Sequence, residues 1–442
     1  MGKRLFLGFI FVNIVFSTLV VAQSSTQVKG LLDNNKNNLF PKTLIYDAPG
    51  LPISYQDYIR LGFDYISVYS MNNPGSVPNR YKYLLWTGIA SNDAKAKWST
   101  EKSPFVDDIN QYAARWNYRL IHYKKTYIDS SDRSDVGLMI LDIESKKNND
   151  QLEKDPPFRN KRPRNKAAVI AEYKVAMEQL YRYPLEFAKT NHHYYKKWSS
   201  YSDVPVERNW WGIPNKTWHE WTTDPSHLNY ITHNTYGERV SETEFSKELD
   251  FYSVSTYFFY NPKFSDPNTA NQYLAYLLFQ LEANQAWSIN KPIYLYFTFK
   301  YQGAKERNTL IDEDMVRNSV IFAFMSGADG MILYDDSRKP TDDPKYYALI
   351  KTFVKGISSL DDYRDYFVGN NVSFYRPDNP RDLFAERKSV VRGVEKNGKL
   401  LLAATNPFAK DREITNLTLA YKGKIIKIQL KGKETYLREI IL

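Results

Sequence analysis

The sequence predicts an α/β chain: a (β/α) TIM-like barrel followed by a small antiparallel β-sandwich domain. Three observations carry this. Across residues 41–360, short apolar runs alternate with helical stretches, the pattern of parallel strands joined by crossover helices. Roughly seven or eight such units over about 320 residues is what a closed barrel needs. Beyond residue 360 the helices stop, and short strands follow one another through tight turns, which predicts an appended β-domain.

The elements follow in order. Residues 1–22 read as a signal peptide. Lys3 and Arg4 start it, Leu5 to Val21 is largely apolar, and Val20-Val21-Ala22 supplies modest side chains for cleavage. Residues 23–40, with the polar run Asp33–Asn38, read as a flexible lead-in. Thr43–Asp47 is a buried strand closed by Pro49-Gly50, and Phe63–Tyr69 is another closed by Asn72–Gly75. Tyr118–Tyr123 is expected to be a third strand, and Val136–Asp142 is the clearest strand in the chain. A long helix is expected over Lys166–Lys189, with Ala167, Ile170, Ala171, Val175, Leu180 and Leu185 as its apolar positions. Strands at Phe251–Phe259, Ile293–Phe299 and Met331–Tyr334 then alternate with helices at Asn271–Asn284 and Asp312–Gly327. The second domain, 361–442, holds strands at Ser373–Tyr375, Val390–Val394, Lys399–Ala403, Leu417–Tyr421 and Ile425–Leu430, with turns at Asn397-Gly398 and Lys422-Gly423.

Composition narrows the function. There is no cysteine, which removes thiol nucleophiles, thiolate metal sites and a lipid anchor on Cys. The chain is expected to be exported to the periplasm, cell surface or exterior of a bacterium, with no transmembrane anchor in the mature protein. The net charge of +10 raises the local concentration of polyanions. For an exported protein the expected polyanion is an acidic polysaccharide rather than nucleic acid. Aromatic residues make up 15% of the chain, and such rings stack on the apolar faces of sugars. His122, His192, His193, His219, His227 and His233 lack metal-ligand spacing. No Gly-x-Ser-x-Gly elbow is present. Neither a metal nor a cofactor is expected.

The segment that could carry chemistry is Met139-Ile-Leu-Asp142-Ile-Glu144. Strand side chains alternate faces, so Asp142 and Glu144 should project together, into the barrel mouth where barrel enzymes place their reactive groups. Two close carboxyls repel, so one keeps its proton beside an ionised partner, as glycosidic cleavage requires. The same pairing also occurs in loop caps and salt bridges.

Several segments, in order, resemble the hyaluronidase family of glycoside hydrolases. Arg307–Ser337 is similar to that family's last barrel helix, Gly-rich turn and strand, with Ser326-Gly-Ala-Asp-Gly330 at the turn and Tyr334 where the family has Trp. Val136–Glu144 resembles its Ile-Asp-Trp-Glu strand with Ile143 replacing Trp. Asn209–Asn215, Tyr252–Tyr257 and Lys291–Tyr296 are similar to further segments, and Phe63–Gly75 more faintly so. The resemblance covers the barrel only; the C-terminal β-domain and the missing disulfides depart from it.

The resemblance implies substrate-assisted hydrolysis of a 2-acetamido polysaccharide. Glu144 would be general acid and then base, and Asp142 would orient the substrate's acetamido group. Tyr257, or else Tyr252, would donate to the acetamido oxygen. Tyr69, Tyr252 and Tyr334 would line the sugar subsites. Trp210 and Trp211 offer either a sugar platform or core packing. Two other readings stay open: ordinary two-carboxylate hydrolysis of another anionic polysaccharide, uronic or sulfated, and a non-catalytic glycan-binding surface protein. The charged run 148–165, with Lys154, Arg159, Lys161, Arg162 and Arg164, is expected to border the cleft.

Overall fold

The computed structural model describes residues 40–47, 54–69, 74–89, 112–144, 166–207, 211–237, 239–261, 263, 265–288, 290–302, 309–334, 344–369 and 371–442. The expected signal peptide, nearly all of the lead-in, Trp210 and the basic run 148–165 lie outside these residues.

Eight parallel strands form the barrel. They are β1 (Thr43–Asp47), β2 (Tyr65–Ser67), β3 (Lys82–Trp86), β4 (Leu138–Leu141), β5 (Trp198–Ser200), β8 (Tyr252–Ser255), β9 (Ile293–Phe297) and β10 (Gly330–Tyr334). A hairpin of β6 (His233–Tyr236) and β7 (Arg239–Glu242) interrupts the run between β5 and β8. The strands pair in the order β5-β4-β3-β2-β1-β10-β9-β8. The ends meet where Tyr201 bridges Ser253 and the Ser202 amide donates to the Ser253 carbonyl at 2.9 Å, closing the ring.

The strands are apolar on both faces because each is buried on both. Leu44, Tyr46, Leu84, Trp86, Met139, Leu141, Val254 and Leu295 pack outward against the helices. Ile45, Tyr83, Leu138, Ile140, Phe251, Tyr294, Tyr296 and Ile332 form a separate cluster inside the barrel. At its floor Phe251 stacks on Tyr294 with centroids 4.2 Å apart. A Cβ on Gly137 would come within 2.4 Å of the Tyr65 ring, so only glycine lets that ring sit there.

The expected strand at Tyr118–Tyr123 is instead part of a helix, Ala113–Tyr127. Its buried residues Trp116, Leu120 and Tyr123 recur at helical spacing, while Tyr118 is 69% exposed. β3 and β5, not foreseen in the sequence, take up places in the ring.

The second domain holds a four-stranded antiparallel sheet, β11 (Ser373–Tyr375), β12 (Val390–Lys396), β13 (Lys399–Thr405) and β16 (Tyr436–Ile441), plus the hairpin β14 (Ile414–Tyr421) and β15 (Lys424–Lys431). Helices do not stop at residue 360 as expected: a short one, Pro380–Glu386, lies between β11 and β12 and buries Leu383 and Phe384. Val391, Leu400, Leu402 and Ala404 face Ile426, Ile428 and Leu430 in its core. This sandwich lies against the barrel helix Tyr273–Trp287, whose residues from Tyr273 to Asn284 are all buried. A helix apolar all round is one covered on every side, here by barrel and sandwich together. No described helix is long and apolar enough to cross a membrane.

Candidate active site

The inward residues at the C-terminal ends of the strands build the site. Leu138 and Ile140 point into the barrel while Met139 and Leu141 face the helices, so Asp142 continues the inward set. Its amide still donates to the Trp86 carbonyl at 3.1 Å, which keeps it in register with β3. Glu144 has left the ladder. Its φ is +47°, a left-handed conformation that costs a non-glycine residue about 1–3 kcal/mol and that concentrates at functional sites. The turn leaves Glu144 exposed, yet its charge acts on Asp142. Strand alternation therefore places Asp142, and a strained turn places Glu144.

Burial first, then the charges of Glu144 and Asp203, push the Asp142 carboxyl up to about 7. Asp203 is buried and accepts from the Ser200 hydroxyl. A further carboxyl, Asp47, ends β1 on the same inward face as Ile45. Burial raises it to about 7 and the Asp142 charge adds to this, against hydrogen bonds from Tyr83 and Ser67. Tyr83 donates to Asp47 Oδ2 at 3.0 Å, and its oxygen lies 2.8 Å from the Tyr296 hydroxyl.

Tyrosines wall the mouth. Tyr257 stacks on Tyr334 with centroids 5.7 Å apart and planes at 27°. Tyr201 lies edge-on to Tyr296 at 4.9 Å and 6.2 Å from Tyr257, and its hydroxyl donates to Ser255 at 3.3 Å. Trp211 is 75% exposed, with its ring 6.1 Å from Phe259, which follows β8.

Two expected subsite residues lie elsewhere. Tyr252 is on the outer face of β8, fully buried, with its hydroxyl donating to Glu242 at 2.7 Å and bonded to Ser246 at 2.6 Å. The two-residue period that turns Ser253, Ser255 and Tyr257 inward turns Tyr252 outward. Tyr69 lies two residues past the end of β2, where alternation no longer holds. Its ring packs on Tyr123 and Tyr127 of the helix Ala113–Tyr127, and its hydroxyl donates to the Leu85 carbonyl.

Sequence reasoning missed Asp47, Asp203, Tyr83, Tyr201 and Tyr296. Asp47 carried the same signal as Asp142, an acid ending an apolar strand on its inward parity. Tyr83, Tyr201 and Asp203 depend on β3 and β5, whose weak patterns conceal them, and Tyr296 sits on the inward parity of a strand that was legible. Among the described residues, no group of three or more His, Asp or Glu could hold a metal ion.

No family model matches the chain, and no curated protein does. Among solved structures it is similar to bee venom hyaluronidase, at 12% identity and a TM-score of 0.47, over 72% of this chain and 99% of that one. The same enzyme in complex with a hyaluronic acid tetramer matches at 13% and 0.45, over 72% and 98%. A maltogenic α-amylase of Thermotoga neapolitana matches at 12% and 0.36, over 92% and 100%. At these values the likeness carries no activity across to this chain.

Proposed function

We propose that the chain is a glycoside hydrolase that cleaves a polysaccharide at the barrel mouth. We further propose that the polysaccharide is acidic and rich in 2-acetamido sugars, like a glycosaminoglycan. The observation that carries the reading is a pair of carboxyls at the barrel mouth, Asp142 held in register at the end of β4 and Glu144 on the left-handed turn that follows it. Two neighbouring carboxyls in unlike surroundings, one turned into the barrel and one at the open mouth, are the pair that glycosidic cleavage uses, one to donate the proton and one to steady the reacting group.

In this reading Glu144 gives its proton to the glycosidic oxygen as the bond to the anomeric carbon breaks. The substrate's acetamido oxygen forms a new bond to that carbon, while the Asp142 carboxylate accepts from the acetamido N–H. Glu144, now ionised, takes a proton from water, and the hydroxide oxygen bonds the anomeric carbon as the acetamido oxygen leaves. Tyr257 donates to the acetamido oxygen, Tyr334 offers a stacking wall, and the exposed Trp211 extends the platform outward. The positive balance of the chain suits an anionic substrate, and the apolar start suits export.

The test is a panel of hyaluronan, chondroitin, chitin oligomers and sulfated glycans, scored for new reducing ends. Wild-type protein should cut an acetamido-containing member. Glu144→Gln should lower the rate about 10²–10⁴-fold, the usual worth of general acid–base catalysis. Cleavage that survives this change sinks the assignment. Cleavage confined to glycans without acetamido groups would make Asp142 an ordinary nucleophile, and binding without cleavage on every member would leave a glycan-binding protein.

A further inference from the structure

Four carboxyls, Asp47, Asp142, Glu144 and Asp203, crowd one end of the barrel, and they are not equivalent. Asp47 is the deepest member of the Asp47–Asp142 pair: it is 7% exposed, whereas Asp142 is half-buried and Glu144 exposed. It faces Asp142 from β4, Tyr83 from β3, Tyr296 from β9, Tyr257 from β8 and Ser67 from β2. On β10 it pairs in register with Tyr334. The charge acting on it among these groups is that of Asp142, and it is repulsive.

The Tyr83 hydroxyl favours an ionised Asp47. Burial opposes ionisation and is the larger effect. We propose that Asp47 is a positioning residue that holds the proton of this acidic cluster at neutral pH, leaving Asp142 free to ionise when substrate calls for its charge. A neutral Asp47 adds no repulsion to the Asp142 anion. Once Asp47 ionises, that repulsion returns, and the tyrosine-walled mouth gains a charge that disfavours an anionic glycan.

The catalytic part of this inference rests on the glycosidase reading; the protonation part does not. Difference infrared spectroscopy of the protonated-carboxyl stretch, on the intact protein without substrate, tests the latter. The carboxyl band that persists to the highest pH should vanish in Asp47→Asn. It should remain in Asp142→Asn but titrate at lower pH by about one unit or more, because the neighbouring charge is gone. A band that survives Asp47→Asn and disappears in Asp142→Asn overturns the proposal. Should Asp47→Asn fail to fold, Tyr83→Phe serves: loss of its hydrogen bond should move the Asp47 band to still higher pH, and an unmoved band counts against the assignment. With a cleaved glycan in hand, the alkaline limb of kcat/KM should move to higher pH in Asp47→Asn. An unshifted limb with a correctly assigned band would remove the catalytic role alone.

Discussion

Glu282→Gln should be the most destabilising single polar change at the junction of the two domains. Glu282 lies on the helix Tyr273–Trp287 and Arg392 on β12. Arg392 Nε donates to Glu282 Oε1 at 2.7 Å, with side-chain exposures of 0% and 2%. Arg376 brings a second guanidinium to the same oxygen at 3.9 Å. Glu282 is the anion that offsets both, and burial already pulls the Arg376 guanidinium down against it. Removing that anion strands the fully buried Arg392 and weakens the hold on the partly buried Arg376, and breaking a buried pair from one side costs about 3–5 kcal/mol. Arg392→Met is gentler, because Glu282 keeps Arg376, while Arg376 itself retains the Gln285 side chain and the Ser326 carbonyl, each at 2.7 Å. About 1–3 kcal/mol is expected there. The double variant should cost less than the two losses added, since neither charge is then left alone. Urea denaturation followed by near-ultraviolet circular dichroism gives the three midpoints at unchanged slope. A Glu282→Gln unfolding free energy within about 0.5 kcal/mol of wild type, or one above that of Arg392→Met, would refute the reasoning.

Three further outcomes follow from the barrel. Asp47 and Asp142 have folded-state values near 7 against about 3.9 unfolded. The native state therefore binds more protons between these limits, and stability falls as pH rises from about 4 to about 7. Asp142→Asn should flatten that fall and gain on wild type at pH 8 by an amount on the order of a few kcal/mol, with the gain vanishing near pH 4; a parallel offset at all pH values contradicts the linkage. Tyr252→Phe should lower stability by about 1 kcal/mol through the lost bonds to Glu242 and Ser246 without changing turnover, as thermal denaturation alongside the reducing-end assay would record. Tyr257→Phe should slow turnover about 10-fold or more in the same reducing-end assay, the effect expected when a donor to the reacting group is lost.

The barrel was legible wherever a strand was a continuous apolar run ending in turn residues, as at Thr43–Asp47, Ile293–Phe297 and Gly330–Tyr334. β5, with only Trp198-Ser-Ser200, has no such run. Its serines are buried because Ser199 bonds the Phe251 carbonyl and the Ser253 hydroxyl across the closing seam, partners that exist only once the barrel closes. Tyr118–Tyr123 misled for the opposite reason: its aromatic residues fit a strand locally, and only packing chose the helical face.

At the site, the two-residue period placed Asp142 inward directly from its sequence, and the same rule would have found Asp47. It could not place Glu144, whose left-handed backbone breaks the period, or Tyr69, which lies beyond its strand. Periodicity thus determined which side chains enter the barrel. Burial and the charges of residues far apart in the chain, from Asp47 to Asp203, decided which of those carboxyls would hold a proton, because a pKa is set by neighbours in space and by lost water.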